Sequence, residues 1–301
     1  MRNHSSSIPS SLSRPLVIGA VLVALMVVSR GHYFPALRAA LKVNSEATLI
    51  DGVKAHILTP EAIAPENRNR ILLHVHGGCY VSNPGESGTT EAISMAHFGK
   101  AKVISIDYRM APDHVFPAAL DDVMTVLKAT QKTTPAKNIG VLGTSAGGAL
   151  VLSMGHRAKK DGVPMPGAIA SGTPMADLTN SGDSFAVNAL VDNVLIAADA
   201  SCTARAWMYA AGHDLKDPML SPVFGDMSGF PPTAMFTGTR DLLLSDTVRV
   251  HRKLRQAGVD AVLHVYEGQP HAAYGRDPTS DRKSTRLNSS HIPLSRMPAS
   301  A

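Results

Sequence analysis

Val141-Leu142-Gly143-Thr144-Ser145-Ala146-Gly147-Gly148-Ala149-Leu150 joins two apolar runs through a Gly-x-Ser-x-Gly turn. This arrangement predicts a buried strand, a tight turn and a buried helix, with the serine hydroxyl held out above the end of a sheet. The backbone of such a turn is strained and crowded, and Gly143 and Gly147 leave the space that a Cβ would fill. Ser145 is therefore the candidate nucleophile. A Gly-Ser turn before an ordinary buried helix gives the same short pattern, so the rest of the chain decides between the two.

Upstream of this turn, a second apolar strand runs into a pair of glycines. The strand lies within Arg70–Tyr80 and leads to Gly77 and Gly78. Glycines at the end of a strand leave backbone N–H groups free to face a ligand, which is what an oxyanion hole requires. We therefore expect the N–H groups of Gly77, Gly78 and Ala146 to bind a developing oxyanion.

Two histidines alternate on the strand that precedes the glycine pair. His74 and His76 are two residues apart, so their side chains are expected on the same face of the strand. Such a pair can bind a metal, but no third ligand of suitable type and spacing accompanies it. We expect no metal here and interpret His76 as a residue that braces the glycine loop through a hydrogen bond.

Strand and helix patterns alternate along the remainder of the chain. A hairpin is predicted at 47–59 around Asp51-Gly52, after a short amphipathic helix at 32–43 with Leu37, Ala40 and Leu41 on one side. Further strands are predicted at 102–108, 138–143, 167–173, 232–241 and 261–266, and helices at 117–130, 146–160 and 245–257, with helical spacing at 190–212. Trp207 and Tyr209 in that last stretch fit either core packing or the floor of a substrate pocket. This alternation predicts an α/β domain with a mostly parallel central sheet flanked by helices.

An acidic residue and a histidine complete the set of candidate catalytic groups. Asp241 ends the strand predicted at 232–241, and His271 lies on the loop after the strand predicted at 261–266. Catalytic groups of parallel sheets gather at the carboxyl ends of the strands. The order along the chain is glycine loop, Ser145, Asp241, His271, which is the order of a Ser-His-Asp triad on this class of sheet.

The composition excludes a binding role for the folded body toward nucleic acid. The chain has 301 residues, 44% of them hydrophobic, and a formal net charge of +5. Residues 1–30 and 281–301 each carry +3, which leaves about −1 on residues 31–280. A body without excess positive charge has no electrostatic basis for binding a polyanion.

Cys79 and Cys202 are the two cysteines of the chain. Their spacing indicates neither a disulfide framework nor a zinc site. We expect Cys79 to be a small buried residue of the glycine loop, and not a nucleophile, because no motif positions it for attack.

The two ends of the chain differ from its body. Residues 15–28 are apolar and uncharged after a basic, serine-rich start. They are shorter than a membrane span and predict a signal peptide or an uncleaved anchor within residues 1–30, which would place the protein on the periplasmic side, exported or membrane-associated. The alternative is a lid helix of a cytoplasmic protein. Residues 281–301 lack apolar periodicity, resemble a translated sequencing adapter and are expected to form a disordered tail outside the domain at 31–280.

Residues 70 to 276 resemble the bacterial hormone-sensitive-lipase-like carboxylesterases of the α/β-hydrolase superfamily, in the branch that carries Gly-Thr-Ser-Ala-Gly. The motifs that carry the resemblance are His76-Gly77-Gly78, Asp107-Tyr108-Arg109-Met110-Ala111-Pro112, Phe116-Pro117-Ala118-Ala119-Leu120-Asp121-Asp122, Gly143-Thr144-Ser145-Ala146-Gly147, Asp217-Pro218, Ser221-Pro222, Gly238-Thr239-Arg240-Asp241 and His271. The chain departs from the family at Cys79, where Gly or Ala is usual, and after Ser280, where members continue into a helix that packs behind the histidine loop.

The resemblance implies a serine carboxylesterase with the α/β-hydrolase fold. Its helical cap would come from the N-terminal region and from an insert around 175–215, and its substrates would be small esters with short to medium acyl chains. Ser145, Asp241 and His271 would form the triad, and no cofactor is implied. The sequence leaves open another hydrolase, such as an amidase or thioesterase, and a non-catalytic ligand-binding protein on this fold. It leaves the oligomeric state open as well.

Overall fold

The computed structural model describes residues 33–195 and 201–275. Residues 15–28 and 281–301, for which an export or anchor segment and a disordered tail are predicted, lie outside these ranges. Within the described ranges, every helix is too short or too polar to cross a membrane.

One eight-stranded sheet organises the described chain, with the strand order β1-β2-β4-β3-β5-β6-β7-β8. The strands are β1 Val43–Ile50, β2 Val53–Pro60, β3 Ile71–Val75, β4 Lys102–Ile106, β5 Ile139–Thr144, β6 Ala168–Gly172, β7 Thr233–Gly238 and β8 Ala261–Tyr266. β2 pairs antiparallel with both of its neighbours, β1 and β4. The other pairs, from β4 through β3, β5, β6 and β7 to β8, are parallel. The predicted α/β-hydrolase fold with a mostly parallel sheet is confirmed.

Helices cover both faces of this sheet. They are α1 33–41, α2 Thr90–Gly99, α3 Ala118–Gln131, α4 Ala146–Asp161, α5 Ser184–Val187, α6 Ser201–Ala210 and α7 Leu244–Gln256. Short 3-10 turns occur at Pro65–Asn67, Gly85–Thr89, Ala136–Asn138, Pro222–Phe224 and Ala273–Gly275. Buried side chains of α3, α4 and α7 belong to the larger apolar cluster on one face, and those of α2 to a smaller cluster on the other. These two cores fix the carboxyl ends of β3 to β8 along one edge.

The first hairpin forms where the sequence predicts it. Ile50 pairs with Val53, and Asp51 and Gly52 both have positive φ, at 45° and 89°. Positive φ at both central residues gives the turn whose twist matches that of the flanking strands. The helix before it is also present, with Leu37 and Leu41 packed on the α2 side of the sheet while Ala40 is exposed.

The segment between β6 and β7 differs most from the sequence interpretation. Of the described residues in the stretch 190–212, those of α6 are helical, and residues 190–195 form turns and bends. The carboxylate of Asp192 accepts the N–H groups of Val194 and Leu195, so a new turn starts there instead of one continuous helix. Tyr209 is core: its buried ring stacks on Tyr80, with 4.4 Å between the ring centroids.

Cys79 and Cys202 form a disulfide, so the interpretation that their spacing indicates no disulfide was wrong. Their Cα atoms are 5.4 Å apart, although 123 residues separate them in sequence. Sequence spacing could not reveal this pair, because only the folded chain places the start of α6 against the glycine loop. The bond ties the insert to the loop that carries Gly77 and Gly78.

We predict that this disulfide contributes about 2–4 kcal/mol to the free energy of unfolding, because it restricts the unfolded chain across a long loop. The Cys79→Ala, Cys202→Ala double variant should unfold at a lower urea concentration than the oxidised protein. A dithiol reductant should lower the midpoint of the parent to that of the double variant and leave the variant unchanged. Equal midpoints for oxidised parent and variant would show that the bond adds no stability.

Candidate functional site

Ser145 lies on a strained turn between β5 and α4. Its φ and ψ are 62° and −122°, a region that L residues rarely adopt, and the side chain is 7% exposed. The Ser145 N–H donates to the carbonyl oxygen of Gly172 at 2.9 Å, and the Ser145 carbonyl accepts from Ala149 at 3.0 Å. A Cβ on Gly147 would overlap the carbonyl oxygen of Val75. The strained serine and the obligatory glycine are what the Gly-x-Ser-x-Gly pattern predicts.

Asp241 and His271 form a buried hydrogen-bonded pair. Asp241 follows β7 and His271 follows β8, and Nδ1 of the imidazole lies 3.0 Å from Oδ1 of the carboxylate. Asp241 also accepts the N–H of Leu243 at 2.8 Å and the hydroxyl of Thr173. Burial opposes ionisation of Asp241, but the imidazole and these donors outweigh it and lower the pKa of the carboxyl. The carboxylate is therefore ionised and aimed at the ring.

The end of β6 connects this pair to Ser145. The Gly172 carbonyl holds the backbone of Ser145, and Thr173, the next residue, lies 3.2 Å from Nδ1 of His271 through its hydroxyl oxygen. Within the described chain, no hydrogen bond joins the Ser145 hydroxyl to His271. Such bonds are often long in the free enzyme and shorten when substrate binds. The structure thus pairs the acid with the histidine and sets the serine beside them on the same edge of the sheet.

The glycine loop lies against the serine turn. A Cβ on Gly77 would come 3.1 Å from the Cβ of Ser145, so a side chain at 77 would crowd the serine. The Gly77 carbonyl accepts from Nδ1 of His76 at 2.8 Å and from Nδ2 of Asn83 at 3.1 Å. The Gly77 carbonyl and the Gly78 N–H belong to the same trans peptide group and point in opposite directions. The bonds to the carbonyl therefore fix the direction of the Gly78 N–H. In the described chain, the N–H groups of Gly77, Gly78 and Ala146 make no hydrogen bond.

His74 and His76 make hydrogen bonds next to this edge of the sheet. Burial lowers the pKa of His76 to about 4, so its ring is neutral and Nδ1 carries the proton donated to Gly77. The ring stacks on Tyr108 with 4.2 Å between centroids. His74 contacts the hydroxyl of Ser105 at 2.9 Å and the carboxylate of Glu91 at 3.2 Å. His76 therefore braces the glycine loop, as the sequence predicts.

One group of side chains in the described ranges is close enough to hold a cation. The ligand atoms of Asp192, Asp241 and His271 all lie within 4.8 Å of one another. Their oxygens already accept hydrogen bonds from the N–H groups of Leu242 and Leu243 and from the imidazole. These hydrogen bonds occupy carboxylate lone pairs that a cation would need, so the group does not fit a metal-binding role.

A cavity of about 410 Å³ lies beside the glycine loop and the serine turn, and its described wall does not include Ser145, Asp241 or His271. Gly77, Thr144 and Ala272, which flank the loop, the serine turn and the histidine, contribute to its wall. Tyr33 and Phe34 of α1 and Tyr274 add aromatic surface, and Glu91 adds a carboxylate that accepts the Thr144 hydroxyl at 2.8 Å. Its size lies in the range of small-molecule sites.

Three residues at this site were not found from the sequence. Thr173 has φ of 38°, unusual for a β-branched residue, and contacts both Asp241 and His271. Asn188 and Asp192, in the insert, contact the loops that carry Asp241 and His271. The position of Thr173 just past β6 was the one available signal; the two insert residues belong to no motif.

Known proteins with related sequences and structures are hydrolases. Residues 72–275 match the family described as alpha/beta hydrolase fold. An esterase of Acinetobacter venetianus is 30% identical over 216 residues, covering 69% of each chain, and an acetyl-hydrolase of Streptomyces hygroscopicus is 30% identical over 205 residues, covering 67% of each.

The similar solved structures are esterases as well. Esterase E25 has a TM-score of 0.84 at 42% identity, over 87% of this chain and 81% of that one. A hormone-sensitive lipase from a metagenome library has a TM-score of 0.77 at 27% identity, over 88% and 92%. EstE5, in a crystal soaked with p-nitrophenyl butyrate, has a TM-score of 0.78 at 25% identity, over 88% and 91%.

Proposed function

We infer the reaction from the family: this chain belongs to the α/β-hydrolase fold family, among the bacterial hormone-sensitive-lipase-like carboxylesterases, and is an ester-hydrolysing enzyme. We propose that it cleaves small esters with short to medium acyl chains through Ser145, His271 and Asp241. The observation that carries this assignment is the 3.0 Å contact between His271 and Asp241 on the sheet edge that also carries the strained Ser145.

In the proposed mechanism, Nε2 of His271 takes the proton of the Ser145 hydroxyl as its oxygen attacks the ester carbonyl carbon. Asp241 holds the ring through Nδ1 and stabilises its positive charge. His271 then gives the proton to the leaving alkoxide, and the C–O bond of the ester breaks. A water molecule releases the acyl group by the same proton transfers, which regenerates Ser145 and yields a carboxylic acid. The reaction requires no cofactor.

The oxyanion formed in both steps would be bound by the N–H groups of Gly77, Gly78 and Ala146. Their freedom from other hydrogen bonds in the described chain supports this role. Loss of one such donor typically lowers turnover about 100- to 1,000-fold. Donors held in place before the reaction need no reorganisation when the charge develops, which is why the braces on the Gly77 carbonyl matter.

The names of the relatives support a substrate range of short to medium acyl chains. EstE5 was soaked with the butyrate ester of p-nitrophenol, and the Streptomyces relative is an acetyl-hydrolase. Both names refer to short acyl groups and support the same range for this chain.

We expect purified protein to be labelled once per chain by a fluorophosphonate and to hydrolyse p-nitrophenyl esters fastest at acyl lengths of about two to eight carbons. The comparison substrates are the corresponding p-nitroanilide and a short-chain thioester, which test the amidase and thioesterase alternatives. Faster turnover of either, or activity that rises with acyl length beyond this range, would contradict the proposal. Ester binding without hydrolysis or labelling would favour the ligand-binding alternative.

We further propose that the enzyme works in an oxidising compartment, the periplasmic side of the cell. The Cys79–Cys202 disulfide supports this, because such bonds persist outside the reducing cytosol. The urea experiment on the disulfide also tests this proposal: protein recovered from the periplasm should show the oxidised midpoint without added oxidant. The reduced midpoint in that material would contradict it.

A further inference from the structure

Asp192 is a buried carboxylate of the insert that contacts both loops of the acid–histidine pair. Its Oδ2 accepts the N–H of Leu242, next to Asp241, at 2.9 Å. Its Oδ1 accepts the N–H of His271 at 3.4 Å, together with those of Val194 and Leu195. One side chain, 4% exposed, therefore holds the main chain at two sites that are 29 residues apart in sequence.

Asn188 completes the contact from the same turn. Its Nδ2 donates to the carbonyl oxygen of Asp241 at 2.8 Å and to that of Thr239 at 3.2 Å. The N–H of Asp192 donates in turn to the carbonyl of Asn188 at 3.0 Å. The carbonyl of Asp241 and the N–H of the next residue are thus each bonded to a side chain of the insert. A structural lid alone would not require this pairing.

The charge of Asp192 also reaches the imidazole. Ligand atoms of Asp192, Asp241 and His271 lie within 4.8 Å of one another. Asp241 accepts from Nδ1 of the ring, and the Thr173 hydroxyl, which is neutral, lies 3.2 Å from the same atom. Two charges at this separation interact appreciably even when the effective dielectric constant is well above that of a dry interior.

We infer that Asp192 is a positioning residue for the reaction: it fixes the His271 and Leu242 backbones together and places a second carboxylate near the imidazolium that forms during catalysis. This inference rests on the proposed function and goes beyond it, because it makes the insert part of the proton-transfer geometry. A displacement of about 1 Å in such a geometry can lower turnover about 100-fold.

The test compares Asp192→Asn with the parent. We expect kcat to fall about 10- to 100-fold with KM within about threefold, because Asp192 is buried and acts on the backbones of Leu242 and His271. The acid limb of the kcat/KM profile should move to lower pH by about half a unit or more, since the imidazolium loses a neighbouring negative charge. Asp183→Asn, an exposed carboxylate of the same insert, is the matched control and should leave both quantities unchanged.

A second variant separates position from charge. Asn188→Ala removes the hydrogen bonds to the Asp241 loop but no charge, so it should lower kcat several-fold without moving the acid limb. If Asp192→Asn does not fold, Asp192→Glu is expected to fold and show the lowered kcat. Unchanged kcat in either folded Asp192 variant, or failure of both to fold, overturns the inference. An inactive parent, or a parent unaffected by loss of His271, would instead overturn the proposed function.

Discussion

Ser145→Ala is expected to lower kcat for a p-nitrophenyl ester on the order of 10⁴- to 10⁶-fold and to abolish fluorophosphonate labelling. The hydroxyl oxygen forms the covalent bond to the acyl group, and no neighbouring group of the described chain replaces it. The residual rate would come from substrate binding and the backbone donors alone. Stopped-flow and end-point assays at saturating ester measure the effect.

The fold should survive this change, because the Ser145 hydroxyl makes no hydrogen bond within the described residues while its backbone N–H and carbonyl make theirs. Alanine can occupy the same strained backbone at a similar cost. Ser153→Ala is the matched control: Ser153 is buried on α4, the helix that follows the serine turn, and lies away from that turn. Labelling that persists in Ser145→Ala would remove this residue from the mechanism.

Asp241→Asn is expected to lower kcat about 10³- to 10⁴-fold with a small change in KM. Asparagine keeps the shape of the side chain, so its oxygen can still face His271 and Leu243 while its amide faces Thr173. What it loses is the negative charge that, in the proposed mechanism, stabilises the imidazolium. Steady-state kinetics across pH 6–9 separate this loss from a change in substrate affinity.

Asp246→Asn provides the control for removing a buried carboxylate. Asp246 lies five residues further on, accepts the N–H groups of Ala176 and Asp177 at 3.0 Å, and does not contact His271. Burial, with the nearby Asp177, raises the pKa of Asp246 well above its usual value, which favours the neutral form that asparagine resembles. Activity within about threefold of the parent is expected. Equal losses in both variants would mean that Asp241 acts through the fold and not through the ring.

Local signals in the sequence located the strands and the loops that carry the site. The strand Ala261–Tyr266 and the turn at Asp51-Gly52 coincide with the predicted positions, because periodicity and turn chemistry act over a few residues. Helix α2 at Thr90–Gly99 had no such signal: glycines and polar residues precede it, and its apolar side is narrow. This helix is stabilised mainly by its packing on the sheet, which a pattern in its own sequence does not predict.

Contacts between distant segments were beyond reach from one sequence. The disulfide joins residues 123 positions apart, and Asn188 and Asp192 contact loops about 50 to 80 positions further on. The pair of Asp241 and His271 was nevertheless predicted, because the order of the motifs along the chain is that of a known triad. Asn188 and Asp192 have no such motif, and their role depends on how the insert folds back over the sheet.

The bond between Cys79 and Cys202 has a consequence for engineering. Cys79 follows directly after Gly78, and Cys202 is the second residue of α6. A displacement of α6 would therefore be transmitted to the Gly77 and Gly78 N–H groups, which are proposed to bind the oxyanion. Moving α6 outward to admit a bulkier ester would displace these N–H groups and lower the rate of hydrolysis. Redesign for larger substrates should therefore leave α6 in place and change side chains that the disulfide does not hold.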